Sequence, residues 1–228
     1  MRSAQLRFIV RFTASAFLYI CAMAVARAGT ATSISGLYIT GVDNSGASLT
    51  DGAQDGHWTT GGAGAYVVTS LPGGWMSSPT KAEWVTPSGG PMLPNTTYAY
   101  TISFVVNGAG NIGEVATGLT LTLTLAVDDS AAFYVNGSNT GRTSNGWTKT
   151  SNVTLRSGDG GYDFKIGTNT LTIYVSNSGD GATGLLVSSI GANVPTPEVG
   201  AWMPIAGALF LLGWMRLRPK KDTISAAS

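Results

Sequence analysis

Residues 119–127 read "LTLTLTLAV", a leucine or valine alternating with a threonine or alanine for nine positions. In an extended chain successive side chains point to opposite faces. Leu119, Leu121, Leu123, Leu125 and Val127 therefore share one face, and Thr120, Thr122, Thr124 and Ala126 the other. One apolar and one polar face is the signature of a half-buried strand in an antiparallel sheet, not of a parallel strand covered on both sides. The same period runs through "TYAYTISFVV" (97–106), which turns Tyr98, Tyr100, Ile102, Phe104 and Val106 inward, and through "NTLTIYVS" (169–176), which does so for Leu171, Ile173 and Val175. Shorter strands are expected at 34–40, 65–69, 82–86, 131–135, 150–155 and 183–190, separated by Gly, Asn, Asp and Ser clusters that mark turns. About nine or ten short strands with no helical period predict an all-β domain of two packed antiparallel sheets over residues 29–193.

The two ends differ from this middle. Arg2, Arg7 and Arg11 precede an apolar run from Phe12 to Ala26, and Ala26-Arg27-Ala28 offers small residues at a cleavage site. That pattern predicts a signal peptide over 1–28, cut after Ala28 by signal peptidase, with a retained anchor as the alternative. Cys21 lies inside it, so a mature chain from Gly29 has no cysteine and no disulfide or thiol chemistry. At the other end, Val199 to Met215 is 17 residues without a charge. As a helix that is roughly 25 Å, near the lower limit for a membrane span. Arg216, Arg218, Lys220 and Lys221 follow. Cations flank the cytoplasmic side of a span, so both ends place 29–193 outside the membrane, with 194–198 as a proline-marked linker and 216–228 as a basic cytoplasmic tail. Between Gly29 and Asn193 stand ten acids and five bases. That balance provides no basic footprint for nucleic acid.

"VPTP" (194–197), the apolar glycine- and leucine-containing helix and "RLRPKK" (216–221) together resemble the PEP-CTERM sorting tail of bacterial exosortase substrates. The sequence departs from that pattern in having Thr196 where the family has glutamate, with Glu198 two places on, and in the seven residues that follow the basic cluster. The resemblance implies a temporary anchor, cut near Pro195, Thr196 and Pro197 by an exosortase-type enzyme, and delivery of the domain to the cell surface or extracellular matrix.

"VDDSAAFYVNG" (127–137) and "GTNTLTIYVSNSG" (167–179) resemble the galactose-binding-like jelly roll of many carbohydrate-binding modules, in which an acidic turn leads into a strand closed by Asn-Gly. "TGVDNSG", "DGHWTT", "AEWVTP" and "TGLLVSSI" resemble sandwich ectodomains of PEP-CTERM proteins. The fold implied is a jelly-roll sandwich. Independently, Asn136-Gly137 suits the positive φ of a tight hairpin turn.

Enzymatic chemistry has little support. The mature chain has one histidine, His57, in a strand-like "HWTT", and no Gly-x-Ser-x-Gly elbow. Glu83 and Glu114, the only glutamates before the tail, sit in dissimilar contexts rather than as a facing pair. The domain is expected to be a non-enzyme. Calcium is a candidate cofactor: counting strands up and down puts Asp128 and Asp129 at one end of the sandwich with Asp159 and Asp163, beside the carbonyls of Gly158, Gly160 and Gly161. Solvated turn aspartates are the other reading of these four. Sugar rings stack on exposed aromatics while amides and carboxylates bond their hydroxyls. Trp58 and Trp84 fall in strands and are expected in the core. Trp75, Trp147 and Tyr162 fall in loops and are the ligand candidates, Trp147 sharing its end with Asn177 and Asp180. Two functions remain open: polysaccharide binding, and a structural or adhesive matrix role with no small ligand.

Overall fold

A computed structural model describes residues 30–88, 94–179 and 181–195. Of the two compact units into which the chain divides, Met1–Pro195 and Thr196–Ser228, only the first contains described residues. The expected signal peptide with Ala26 and Ala28, the motif residues Thr196 and Pro197, the apolar segment from Val199 to Met215, the basic tail with Arg216 and Arg218, and Asp180 all lie outside them.

The described residues form strands and no helix. In chain order they are β1 (Thr30–Ser35), β2 (Gln54–Thr60), β3 (Ala63–Val68), β4 (Trp84–Thr86), β5 (Thr97–Ala109), β6 (Thr120–Asp128), β7 (Ser130–Val135), β8 (Ser138–Asn145), β9 (Ser151–Arg156), β10 (Gly167–Ser176) and β11 (Gly184–Asn193). All pairs are antiparallel. The hydrogen-bonded order is β8-β7-β10-β5-β2-β3-β4-β11-β6-β9, with β1 also on β5. This path doubles back on itself. The alternating apolar faces of β5, β7 and β10 meet those of β6, β9 and β11 in one core, which includes Phe104, Phe133, Leu123, Leu155, Ile173 and Val187. The architecture is an all-β antiparallel sandwich, as the nine-residue alternation requires.

Two strands have polar interiors: β2, which extends the strand-like "HWTT" back to Gln54, and β8, which lies where a loop is expected. β2 buries Asp55 beside Trp58. The carboxylate accepts hydrogen bonds from the backbone N–H groups of Gly41 (2.7 Å), His57 (2.7 Å) and Trp58 (3.1 Å), which satisfies a group that would otherwise be costly to bury. β8, "SNTGRTSN", has no apolar residue and buries only Thr140, whose Oγ1 donates to the Phe133 carbonyl at 2.8 Å. Its segment was expected to be loop. A further difference is β1, which occupies 30–35 rather than 34–40.

A smaller apolar cluster lies on the outer face of β4, β11 and β6. Ala126 and Leu186, both directed away from the main core, are covered by Trp84, Ala82 and Trp75. Trp58 and Trp84 are fully buried, their Nε1–H groups donating to the carbonyls of Tyr38 and Met76 at 2.9 Å. His57 stacks flat on Tyr38, ring centroids 3.5 Å apart, and its Nε2 is buried without a hydrogen-bond partner.

Candidate ligand-binding cleft

The missed strand decides the geometry of the site. Asn136 and Gly137 have φ of 51° and 81°, the paired positive values of a tight hairpin turn, and they send β8 straight back along β7. The chain after β8 therefore returns to the start of β7. Trp147 arrives beside Asp128 and Asp129 instead of at the opposite end of the sandwich. Asp159 and Asp163 stay at the turn end: the Asp163 carbonyl accepts from Asn136 Nδ2 at 3.0 Å, and its carboxylate from Ser157 Oγ at 3.2 Å. Asp159 faces Arg142 at 3.7 Å. The length of β7, roughly 20 Å at the rise of an extended strand, separates the two acidic pairs. The expected four-carboxylate calcium site is thus split. Among the described residues no group of three or more His, Cys, Asp or Glu side chains converges as a metal site would need.

Sheet alternation directs Asp128, like Ala126, to the outer face of β6, under the loop that carries Trp75. Its Oδ2 accepts a 2.6 Å hydrogen bond from Trp75 Nε1–H. Only 8% of the residue is exposed. The peptide bond to Asp129 is cis. Asp129 Oδ2 accepts from both the N–H and the Oγ–H of Ser178 at 2.7 Å. Its N–H donates to the Ser176 carbonyl and its carbonyl accepts from Gly146 N–H, each at 3.1 Å. The β6–β7 corner is held on one side by the end of β10 and on the other by the turn before Trp147.

The loops that carry Trp75 and Trp147 are tied together. Trp75 is buried, its ring 4.2 Å from that of Trp84 at 33°. Met76 N–H donates to the Trp147 carbonyl at 2.9 Å. Trp147 itself is only half-buried. Between the loop of Pro72, Gly73 and Trp75, the Asp128–Asp129 corner, Trp147, residues 177–179 and Gly181–Ala182 lies an open cleft of about 280 Å³. That volume is at the small end of the roughly 300–1,000 Å³ usual for ligand clefts.

The electrostatics of the two acids diverge. Burial pushes the Asp128 carboxyl up to about 6, the Trp75 N–H opposing and the neighbouring Asp129 adding to the rise. Burial also acts on Asp129, but its hydrogen bonds from Ser178 and Asp128 outweigh it and hold the group below the ordinary carboxylate range. The pair behaves as one acid that readily holds a proton and one that does not.

The cleft thus brings together Trp75, Trp147 and Asn177 with Asp128 and Asp129. Asn177 is buried, its Nδ2 donating to the Gly181 carbonyl at 3.2 Å. Tyr162 is not part of the cleft. It is buried in the main core, edge-on to Phe164, with its hydroxyl accepting from Arg156 N–H at 2.8 Å. Ser178 is the contributor that sequence reasoning missed, and its place in the "NSG" turn after β10 was the available signal.

Scans against protein-family models and curated proteins find no match. Among solved structures, the family 35 carbohydrate-binding module of Paenibacillus barcinonensis aligns at a TM-score of 0.35 and 18% identity, over 62% of this chain and 96% of that one. A family 35 module in complex with a glucuronic acid-containing disaccharide aligns at 0.34 and 15%, over 63% and 93%. A family 61 module in complex with β-1,4-galactotriose aligns at 0.34 and 13%, over 60% and 87%.

Proposed function

We propose that the domain binds a glycan chain in the cleft between Trp75 and Trp147, and that it does so on an exported protein delivered to the membrane by its C-terminal segment. One observation supports the binding reading above the rest. A half-buried indole, two carboxylates and a hydroxyl converge on one concave surface, the combination that holds a pyranose by its apolar face and its hydroxyls together. Trp147 supplies the accessible aromatic wall. Trp75, locked against Trp84 and Asp128, forms a floor.

Binding rather than hydrolysis fits the carboxylate spacing. Glycoside hydrolysis places its two acids about 5–5.5 Å or about 6.5–9.5 Å apart, with the sugar between them. Asp128 and Asp129 are consecutive in the chain, and each has a carboxylate oxygen already engaged, by Trp75 and by Ser178, so the pair reads as a fixed binding wall rather than two acids facing across a sugar.

Export rests on the sequence: the basic, apolar and small-residue order of 1–28, and the proline-marked, apolar and basic order of 194–221. In this reading signal peptidase cuts after Ala28, and an exosortase-type enzyme acts near Pro195–Pro197. The product goes to the surface or matrix, where polysaccharide is the partner. The test is a panel of polysaccharides and oligosaccharides titrated against the full-length chain and against Trp147→Ala, with tryptophan fluorescence as the readout. Saturable binding lost in the variant supports the cleft. Silence across the panel from a folded protein would instead favour a structural or adhesive role.

A further inference from the structure

Among the described residues, the walls of the cleft carry acids and no base. The described residues include five lysines and arginines: Lys81, Arg142, Lys149, Arg156 and Lys165. None lines the cleft. Arg142 faces Asp159 at the far end of β7, and Lys149, two places beyond Trp147, is exposed. The other elements around the cleft add no opposing charge. Pro72 to Met76 contain no titratable group, and the described part of 177–182 contains none either.

Each acid has an oxygen engaged by the protein, Asp128 with Trp75 and Asp129 with Ser178. Both acids, consecutive in the chain, line the same cleft. Two neighbouring acids on one cleft wall with no base beside them favour a cation at that wall. An ammonium group supplies both the charge and three N–H donors. A uronate carboxylate would bring a third negative charge to a site without a cation, which is a basis for rejection as well as selection.

On the carbohydrate reading above, we infer that this cleft selects an amino sugar, its ammonium seated at Asp128 and Asp129 and its ring against the Trp147 indole, and that it rejects uronic acids. Specificity is then set by charge in a site whose stacking surface suits any pyranose. Protonation of Asp128 near pH 6 would weaken the preference from the acid side, where the sugar's amine is still charged.

The test is isothermal titration of the full-length chain in detergent with three oligomers of equal length: glucosamine, N-acetylglucosamine and galacturonate. At pH 7 and low salt the glucosamine oligomer should bind about tenfold tighter than its acetylated form, a difference of about 1.4 kcal/mol. The galacturonate oligomer should show no binding. The advantage should shrink in about 0.5 M salt, where the screening length falls to a few ångströms, and on acidification below pH 6. In Asp129→Asn the glucosamine to N-acetylglucosamine affinity ratio should fall toward one. Neutral or acidic oligomers binding as tightly as glucosamine would overturn the charge selection and leave glycan binding standing. Failure of every oligomer, whatever its charge, would remove both.

Discussion

Asp128 is the residue on which fold and site depend together. Its carboxyl is raised from 3.8 to about 6 chiefly by burial. The folded state therefore binds a proton more tightly than the unfolded chain does. Stability from this group is fully present below about pH 4 and is lost as pH rises through 6. A two-unit shift corresponds to about 3 kcal/mol at most, and the carboxyl's contact with an open cleft reduces that to about 1–2 kcal/mol. Asp128→Asn retains an oxygen for Trp75 Nε1–H and removes the titration. Urea denaturation of the variant should lack the share of the wild type's stability loss that falls between about pH 4 and about pH 7, and should show greater stability than wild type at the upper end. An unchanged pH profile would show that Asp128 titrates normally. The two tryptophans separate by role at the same scale. Trp75→Ala empties part of the outer apolar cluster and should destabilise by about 3–5 kcal/mol. Trp147→Ala should leave the fold intact and reduce glycan affinity about tenfold or more, as loss of a stacking face does.

Between elements, the site depends on β11 as much as on its lining loops. A Cβ added at Gly184 would lie 2.5 Å from Trp75 Cη2 and 3.0 Å from the Val85 carbonyl. The strand carbonyl cannot yield, so the indole must. Gly184→Ala should cost about 1–3 kcal/mol by overpacking and shift tryptophan emission to the red as Trp75 is displaced. An unshifted spectrum would mean that the loop over β11 is looser than its contacts indicate. The elements also divide by how far their sequences disclosed them. β5, β6 and β10 were legible because leucine, isoleucine and phenylalanine recur at every second position on a face that packs inward. β8 was not, since an edge strand with only Thr140 buried carries no apolar period. That omission had a specific consequence: without β8 the strand count moved Asp128 and Asp129 to the wrong partners. Trp147 and Asn177 were grouped on one end in the sequence reading, and they do share the cleft. Tyr162 reads as a ligand candidate because it falls in a loop, and no local pattern reveals that its ring turns back into the core beside Phe164.

At the scale of the described domain, the sandwich is a scaffold with an apolar core, and the proposed site lies at one corner outside that core. Leu123→Ala, in the middle of β6 and fully buried, should destabilise by about 2–5 kcal/mol without changing which sugars are bound. The ends of the chain give a separate prediction. On the export reading proposed above, the intact mass of the protein from its native host should lack residues 1–28 and those beyond the Pro195–Pro197 region. A mass that retains 199–228 would contradict processing while leaving membrane delivery in place. The most direct test of the central claim is titration of the full-length chain with a glycan panel, wild type beside Trp147→Ala, following indole fluorescence. The account predicts saturable binding with a spectral change in the wild type and its loss in the folded variant. Undiminished binding in Trp147→Ala, or none in a folded wild type, would contradict it.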